Sequence, residues 1–526
     1  MGVRHAPEQL ARRERVLQIG CHSLRWTGPC LGSAEMEELA QSKRRRGMGS
    51  SDLSVAVIGA GPAGMTAAYT LAKGGLQVDV FEAAGQVGGM ARSITLWNQR
   101  VDIGPHRFFS NDRRVNELWL EVVGRDYRMV NRLTRIYYGG KFYYYPLRPF
   151  NALRNLGPWQ AALCMASFGR ERLSPTAPDG TFTTWVTSRF GRRLFEIFFK
   201  TYSEKLWGIS CDELDSDFAA QRIKKLSLLE AVKNAVIPSK DQKHKTLVDQ
   251  FAYPLEGTGM VYERMAERTE AMGGKIHLNS PVRRVMAEDG RATALELMSG
   301  EQRPYDHIVS TMPITLLVKG LEGVPDRVRE AANSLRFRNT IIVFLRVEAE
   351  DLFPDQWLYV HASELATGRI TNFRNWIPEL YGTESASIIA MEFWCYDQDP
   401  VWAAPNESLV EKAKAELRET GLVGDAEITD GYVFRVPRCY PVYERGYRER
   451  LRPVEEYLGG IDHLHVIGRY GAFKYNNQDH SILMGLLAAE NILGSRGHDL
   501  WEINTDYETY QESATITESG LVAKVG

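Results

Sequence analysis

The sequence predicts an α/β protein that combines a parallel sheet with a region of helices and mixed sheet. Three observations predict this fold class. A glycine-rich turn at residues 59–64 lies between an apolar, β-branched run and an alanine-rich helix pattern. A second strand pattern follows directly, which completes a βαβ unit. Further short strand patterns occur near residues 307 and 464.

Length and composition exclude several classes of protein. The 526 residues carry 64 Lys+Arg against 66 Asp+Glu, and 44% of them are hydrophobic. This length suits roughly two to four domains of about 100–200 residues each. The balanced charge excludes a general nucleic-acid binder, which would carry a basic excess. No run approaches the ~20 uninterrupted apolar residues of a membrane span, so no integral membrane segment is expected.

The six cysteines and the first 50 residues give only broad expectations. No two cysteines stand at C-x-x-C spacing, so neither a metal site nor a disulfide framework is predicted. Free thiols favour a cytoplasmic protein. Residues 1–50 contain many arginines and no apolar signal-peptide core, and we expect a disordered extension. An Arg-rich targeting peptide is the alternative, which several glutamates in this stretch weaken.

The first βαβ unit has the pattern of a dinucleotide site. Its strands are predicted at residues 54–58 and 76–81, with a helix over 65–73 between them. Gly59, Gly61 and Gly64 satisfy G-x-G-x-x-G, which permits a tight turn, close approach of a pyrophosphate and close helix–strand packing. The N-terminus of the helix offers free N–H groups to that anion.

An acidic residue stands where a ribose partner is required. Glu82 ends the second strand, 18 residues after Gly64, and is placed to accept hydrogen bonds from an adenosine ribose. The pattern therefore predicts a Rossmann-like domain. The alternative is a structural glycine turn with a surface glutamate.

A second glycine pair decides between FAD and NAD by resemblance. Gly88, Gly89 and Arg92 form a G-G-x-x-R element. It resembles the element that lies against the dinucleotide in glutathione-reductase-like flavoproteins and amine oxidases, whose arginine approaches the pyrophosphate. The resemblance implies noncovalent FAD, with NAD(P)H as a candidate reductant. It also assigns Val282, Gly468 and Arg469 to the cofactor, the last two in a segment that closes over the flavin.

The same resemblance implies a discontinuous FAD-binding domain. A substrate domain is expected between its pieces, mainly helical in its first part and with antiparallel sheet later. The predicted segments are 52–110, 255–315 and 455–498 for the FAD domain, 111–254 and 316–454 for the substrate domain, and 499–526 for a C-terminal tail.

Four downstream segments resemble UDP-galactopyranose mutases. Residues 102–108 are similar to their G-x-H-x-F loop, 202–208 to Y-T-x-K-x-W-G, and 468–475 to the closing G-R-x-x-x-Y-R/K-Y. The fourth match is residues 135–142 with the pair at 145–146. The resemblance implies chemistry at N5 of a reduced flavin, with a diphosphate held by arginines and tyrosines. It assigns catalytic roles to His106, Arg338, Arg469 and Tyr475, and substrate contacts to Tyr202, Trp207, Arg222 and Arg369.

Four positions depart from the mutase pattern. Asn477 stands where a carboxylate is expected, Gln478 replaces Met, Leu226 replaces a second arginine, and Phe109 replaces a second histidine. All four fall in the substrate region. The chain is therefore identified as a member of a sister group of the mutases, within the FAD-dependent amine-oxidoreductase superfamily that includes protoporphyrinogen oxidases and carotenoid desaturases.

Three functions remain open at this point. The first is an isomerase or oxidoreductase acting on a small molecule such as a nucleotide sugar or other glycosyl substrate. The second is an oxidase or desaturase of an amine, porphyrin or polyene, which needs an apolar tunnel rather than a diphosphate clamp. The third is a non-catalytic flavin-binding protein. Asp479 and His480 are open too, since they suit either acid–base chemistry or the start of a helix.

Overall fold

The computed structural model describes residues 53–218, 250–494, 497–503 and 514–523. The extension expected at residues 1–50 and the predicted substrate residue Arg222 lie outside these ranges. The described strands follow in chain order: β1 Ser54–Ile58, β2 Gln77–Phe81, β3 Ser93–Leu96, β4 Gln99–Asp102, β5 Tyr127–Asn131, β6 Thr134–Tyr138, β7 Lys141–Tyr144, β8 Gln250–Pro254, β9 Lys275–His277, β10 Val282–Glu288, β11 Arg291–Leu297, β12 Gln302–Pro304, β13 His307–Ser310, β14 Phe337–Val347, β15 Trp357–Val360, β16 Arg369–Asn372, β17 Ser387–Cys395, β18 Ile428–Pro441, β19 Leu464–Val466, β20 Ala514–Thr517 and β21 Gly520–Ala523.

Helices occupy the connections between these strands. A π-helical turn, Glu196–Lys200, joins the helix Arg192–Phe195 to the helix Thr201–Trp207. The described α-helices are α1 Pro62–Lys73, α2 Arg113–Val123, α3 Pro149–Leu173, α4 Phe182–Phe190, α5 Arg192–Phe195, α6 Thr201–Trp207, α7 Gly259–Ala271, α8 Ile314–Gly320, α9 Asp326–Ser334, α10 Asn406–Glu419, α11 Tyr447–Gly459, α12 Gly468–Gly471 and α13 Gln478–Ile492.

A parallel sheet of five strands brings distant parts of the chain together. Its order is β19-β13-β1-β2-β9, and every pairing is parallel. β1 is buried between its neighbours, as its apolar sequence predicts. The fold class predicted from the sequence, a Rossmann-like domain with an inserted mixed-sheet region, is confirmed. The domain limits themselves stay a prediction.

A second, mixed sheet forms the base of the inserted region. Its order is β18-β14-β17-β16-β15-β6-β7, with β6 and β15 parallel and the other neighbours antiparallel. The expectation that residues 111–254 are mainly helical is incomplete, because β5, β6 and β7 lie between α2 and α3, and β8 ends the segment. These strands are rich in aromatic and β-branched residues, which favour strand structure.

The structure adds detail to two predicted features of the C-terminal part of the chain, the last long helix and the tail. The last long helix, α13, begins at Gln478, so Asp479 and His480 lie in its first turn. The backbone N–H of Asn477 donates to His480 Nδ1 at 3.4 Å, so His480 takes part in the start of this helix. Part of the expected tail, residues 514–523, forms a β-hairpin, and Tyr127 Oη donates to Thr517 O at 2.7 Å.

Close packing of α13 on α1 leads to a stability prediction. A Cβ added at Gly485 would lie 2.4 Å from Ala63 O, so Gly485→Ala must push the two helices apart. We expect a loss of about 1–3 kcal/mol in the free energy of unfolding, measured by urea denaturation of the FAD-loaded protein. The matched control is Gly169→Ala on α3, where nothing lies within 4 Å. That change should stabilise the protein by up to about 1 kcal/mol. Equal effects of both variants would contradict this packing.

Candidate active site

The glycine turn after β1 is held between two strands and a helix. Gly59 has a φ of +95°, and a Cβ there would lie 2.2 Å from Thr311 Oγ1. A Cβ on Gly64 would lie 1.9 Å from Gly59 O. Only glycine fits either position, and no side chain makes a capping hydrogen bond at the N-terminus of α1.

Glu82 fastens this turn to the end of β2. Its carboxylate accepts hydrogen bonds from the backbone N–H of Ala60 at 2.7 Å and of Ala84 at 2.9 Å. Each carboxylate oxygen retains a lone pair for a ribose hydroxyl. The backbone N–H of Ser280 donates to Glu82 O at 2.8 Å, which brings the start of β10, at Val282, close to the same edge.

The second glycine pair packs directly on the first. A Cβ on Gly89 would lie 2.9 Å from Gly61 Cα, and Gly88 has a φ of +100°. Beyond them, Arg92 Nε is buried and has no hydrogen-bond partner in the described part of the chain. A buried guanidinium N–H is rarely left unpaired, so this donor fits an anionic ligand such as a pyrophosphate.

A buried carboxylate fixes the loop that carries His106. Asp102 accepts from Ser93 Oγ at 2.6 Å, Tyr253 Oη at 2.8 Å and the N–H of Thr258 at 3.1 Å. Burial raises the pKa of Asp102 to about 6. Thr258 Oγ1 in turn donates to His106 O at 2.7 Å.

The imidazole of His106 is neutral and has a free nitrogen. Burial, followed by the charges of Arg369 and Arg469, lowers its pKa to about 3. Its Nδ1 is buried without a hydrogen-bond partner among the described residues. His106 therefore lies near both arginines without adding a charge to them.

Arg469 is a buried cation with one donor left over. Its Nε donates to Cys439 O at 2.9 Å and its Nη1 to Asn476 O at 2.8 Å. Its Nη2 is buried and unpaired in the described structure. The rings of Tyr440 and Tyr475 lie 4.8 and 4.5 Å from its Cζ.

Arg369 is held by a carboxylate on the neighbouring strand. Arg369 in β16 and Glu392 in β17 are register partners, and the guanidinium and carboxylate pair in a fork, with Nε 2.7 Å from Oε1. Arg369 Nη2 also lies 3.4 Å from Tyr440 Oη. Since Glu392 offsets Arg369, and no carboxylate of the described chain lies within ion-pair distance of Arg469, the cluster has a net positive charge.

Aromatic rings surround the guanidinium groups of Arg369 and Arg469. Tyr202 of α6 stacks on His361 with ring centroids 4.8 Å apart, and Tyr440 stacks on Tyr475 at 5.5 Å. Trp207, at the end of α6, is fully buried and meets Tyr475 edge-on at 5.6 Å. The predicted residues Tyr202, Trp207 and Tyr475 therefore lie in one aromatic cluster around the arginines.

Arg338 lies beside the cluster but faces backbone. Its guanidinium donates to the carbonyls of Lys205, Leu206 and Trp394, at 2.8–3.2 Å, and lies 3.5 Å from a carboxylate oxygen of Asp399. These bonds hold the C-terminus of α6. A catalytic role of Arg338 stays a prediction, and its contacts favour positioning of α6.

Several residues of the site were not found from the sequence. Glu392 had a usable signal, because it is the one charged residue in the apolar strand β17 and therefore required a buried partner. Tyr440, His361 and Asp102 had none, since their contacts join elements far apart in the chain.

Comparison with known proteins identifies the family. The family model for flavin-containing amine oxidoreductases matches residues 62–493. The chain belongs to this family. FAD is the cofactor that membership implies, and the glycine cradle, Glu82 and the unpaired Arg92 Nε fit it.

Two curated relatives are enzymes with different substrates. The coproporphyrinogen III oxidase of Staphylococcus aureus is 20% identical over 475 residues, covering 84% of this chain and 99% of that enzyme. The neurosporene-forming phytoene desaturase of Rhodobacter capsulatus is 27% identical over 301 residues, covering 51% of this chain. That alignment spans about half, 53%, of the desaturase.

Two solved structures share the fold over most of the chain. A reduced UDP-galactopyranose mutase has a TM-score of 0.76 and 21% identity, covering 86% of this chain and 96% of its own. A putative protoporphyrinogen oxidase from Exiguobacterium has a TM-score of 0.68 and 17% identity, covering 85% and 100%. At these identities the similarity concerns the fold.

Glu82 provides a test of the cofactor site. Glu82→Ala removes a charge-assisted acceptor for ribose and leaves the Ala60 N–H unpaired. We expect the dissociation constant for FAD to rise roughly 10- to 150-fold, equivalent to about 1.5–3 kcal/mol, in fluorescence titrations of the apoprotein. The control is Glu267→Ala, which removes an exposed carboxylate from α7. Unchanged FAD affinity in Glu82→Ala would refute the assignment.

The protonation state of His106 provides a second test. Its pKa of about 3 predicts a neutral imidazole at pH 5 in ¹⁵N-histidine NMR spectra, with the signal assigned by its loss in His106→Gln. Because the unfolded chain binds a proton below about pH 6.5 and the folded chain does not, this group destabilises the protein as pH falls. An imidazolium signal from His106 at pH 6 would contradict the buried environment.

Proposed function

We propose that the protein is an FAD-dependent enzyme that acts on a sugar nucleotide or another diphosphate-bearing glycosyl substrate, with chemistry of the mutase type. The observation that carries the proposal is the unpaired Nη2 of Arg469, a buried donor on a cation that lacks a carboxylate partner in the described chain. An anionic substrate group would pair with it.

The surroundings of Arg469 suit a phosphate. Burial of a guanidinium costs several kcal/mol unless an anion and hydrogen bonds offset it. Two of its nitrogens are already bound to carbonyls, which fixes the direction of the third. The phenols of Tyr440 and Tyr475 stand beside it, and phenol O–H groups also donate to phosphate oxygens.

Neutral His106 and the Arg369–Glu392 pair complete the proposed pocket. His106 Nδ1 can donate or accept, depending on its tautomer, without competing for the anion as a charge. The Glu392 carboxylate keeps Arg369 in a fixed orientation beside Tyr440. Aromatic faces such as Tyr202 suit the apolar faces of a sugar ring or a base.

Bound FAD would supply either a nucleophilic reduced ring or a hydride acceptor, according to its redox state. The residues of the chain would bind the anion, orient the second group of the substrate and exclude water. An external donor such as NAD(P)H would be required to reduce the flavin in a mutase cycle.

A second candidate is oxidation of a porphyrinogen. The alignment with coproporphyrinogen III oxidase covers 99% of that enzyme, and a porphyrinogen carries carboxylates that would also pair with Arg469. Both candidates require an anion at Arg469, and they differ in which anion binds and in whether oxygen is consumed.

Arg469 therefore offers the direct test. Arg469→Gln should raise the dissociation constant of UDP by about 30- to 150-fold, since a charge-assisted hydrogen bond is worth about 2–3 kcal/mol. Calorimetric titration of the FAD-loaded protein measures this. Arg327→Gln, which removes an exposed arginine on α9, is the matched control.

Parallel titrations with coproporphyrin III separate the two candidates. Tighter binding of UDP, and conversion of a UDP-sugar only after reduction of the flavin, support the mutase-type function. Tighter binding of the porphyrin and oxygen consumption on turnover support the oxidase. Binding of neither anion, or equal binding by wild type and Arg469→Gln, would overturn the proposal.

A further inference from the structure

One helix carries much of the exposed apolar surface. Eleven large apolar side chains are exposed in the described structure, and five of them lie on α3. Phe150 and Trp159 are each 74% exposed and Leu173 is 90% exposed. Isolated exposed apolar residues are common, whereas five on one element mark an interaction surface. These five residues, named the α3 face, are Phe150, Leu153, Trp159, Met165 and Leu173.

The opposite side of the same helix belongs to the protein core. Cys164, Phe168 and Glu171 recur at spacings of three and four and are buried. Cys164 packs with Tyr143 of β7 and with Phe198 of the π-helical turn. The apolar residues of the α3 face therefore do not result from a helix that has failed to pack. The helix is already packed on the core through its buried residues, and the exposed apolar residues are additional to that packing.

A kink divides the α3 face into two arms. Gly157 has φ 79° and ψ 160°, outside the helical region, and Pro158 follows it. Phe150 and Leu153 lie on the first arm, and the other three residues of the face on the second. Neither arm approaches the length of a membrane span, and among the described residues no helix is long and apolar enough to cross a bilayer.

Positive charge flanks the α3 face. Residues 141–173 contain five cations, Lys141, Arg148, Arg154, Arg170 and Arg172, against one carboxylate, Glu171, a net charge of +4. Glu171 is buried and accepts hydrogen bonds from the N–H and Oγ1 of Thr176. None of the four arginines forms an ion pair within the described chain. The whole chain has a net charge of −2, so this concentration of positive charge is local.

We propose that the α3 face docks on the surface of an anionic lipid bilayer. Exposed Trp, Phe and Leu beside arginines are the composition of helices that lie in the interface, with the apolar side chains among the acyl chains and the cations at the headgroups. A symmetric dimer through the same face would bring two sets of unpaired arginines together, which disfavours a second copy as the occupant.

Vesicle binding tests the proposal with the FAD-loaded protein. It should co-sediment with vesicles of phosphatidylcholine and phosphatidylglycerol at 3:1, and weakly with phosphatidylcholine alone. Salt should weaken the binding, because part of the attraction is between screened charges. Phe150→Ser with Trp159→Ser should lower the partition coefficient at least tenfold. Arg154→Gln with Arg170→Gln should lower it roughly 30-fold.

The matched control changes exposed apolar residues elsewhere. Leu278→Ser with Met298→Ser removes two such side chains outside α3 and should leave vesicle binding unchanged. Lipids brominated on their acyl chains should quench tryptophan fluorescence in the wild type but not in Trp159→Phe. This comparison shows which of the 11 tryptophans enters the bilayer.

Three results would overturn the proposal. The first is no binding of the wild type to the anionic vesicles. The second is equal loss of binding in the α3 and control variants. The third is a wild-type dimer in light scattering that Trp159→Ser converts to a monomer, since the face would then be an interface between copies of the chain.

Discussion

The arrangement of the candidate site depends on a buried cation that has no buried anion of its own. Two arginines, Arg369 and Arg469, lie in one aromatic cluster, and in the described chain only Arg369 has a carboxylate partner, Glu392. Removing a guanidinium from water costs several kcal/mol, so a protein that retains one unpaired is expected to use it on a ligand. Burial lowers the pKa of His106, and the positive charges of Arg369 and Arg469 lower it further, so the imidazole stays neutral.

The fold makes this arrangement possible by bringing distant segments to one place. Arg369 and Glu392 come from neighbouring strands of the mixed sheet. Arg469 lies in the segment that follows β19 of the parallel sheet, and His106 lies in the loop after β4. Asp102, Tyr253 and Thr258 tie that loop to β8 and α7. The cofactor cradle and the candidate substrate pocket consequently share segments, notably the one that starts at Gly468, and neither is confined to a continuous stretch of chain.

Local sequence patterns account for the geometry of the glycine turn and Glu82, but for only part of the geometry of the candidate pocket. The glycines at 59, 61 and 64 and the acid at 82 lie within one βαβ unit, where spacing along the chain determines spacing in three dimensions. The fold class was predictable for the same reason. The partners of Arg369 and Arg469 could not be predicted from the sequence. The strand register between β16 and β17 and the packing of Tyr440 are set by contacts across the sheet. The contacts of Arg338 with carbonyls of α6 and β17 likewise join elements far apart in the chain, and its catalytic role stays a prediction.

A crystal structure of the FAD-loaded protein with UDP tests the central claim most directly. The account predicts a diphosphate oxygen within hydrogen-bond distance of Arg469 Nη2, with Arg369 still paired to Glu392. Arg469 Nη2 bonded to another protein side chain, with UDP bound elsewhere or not at all, would contradict it.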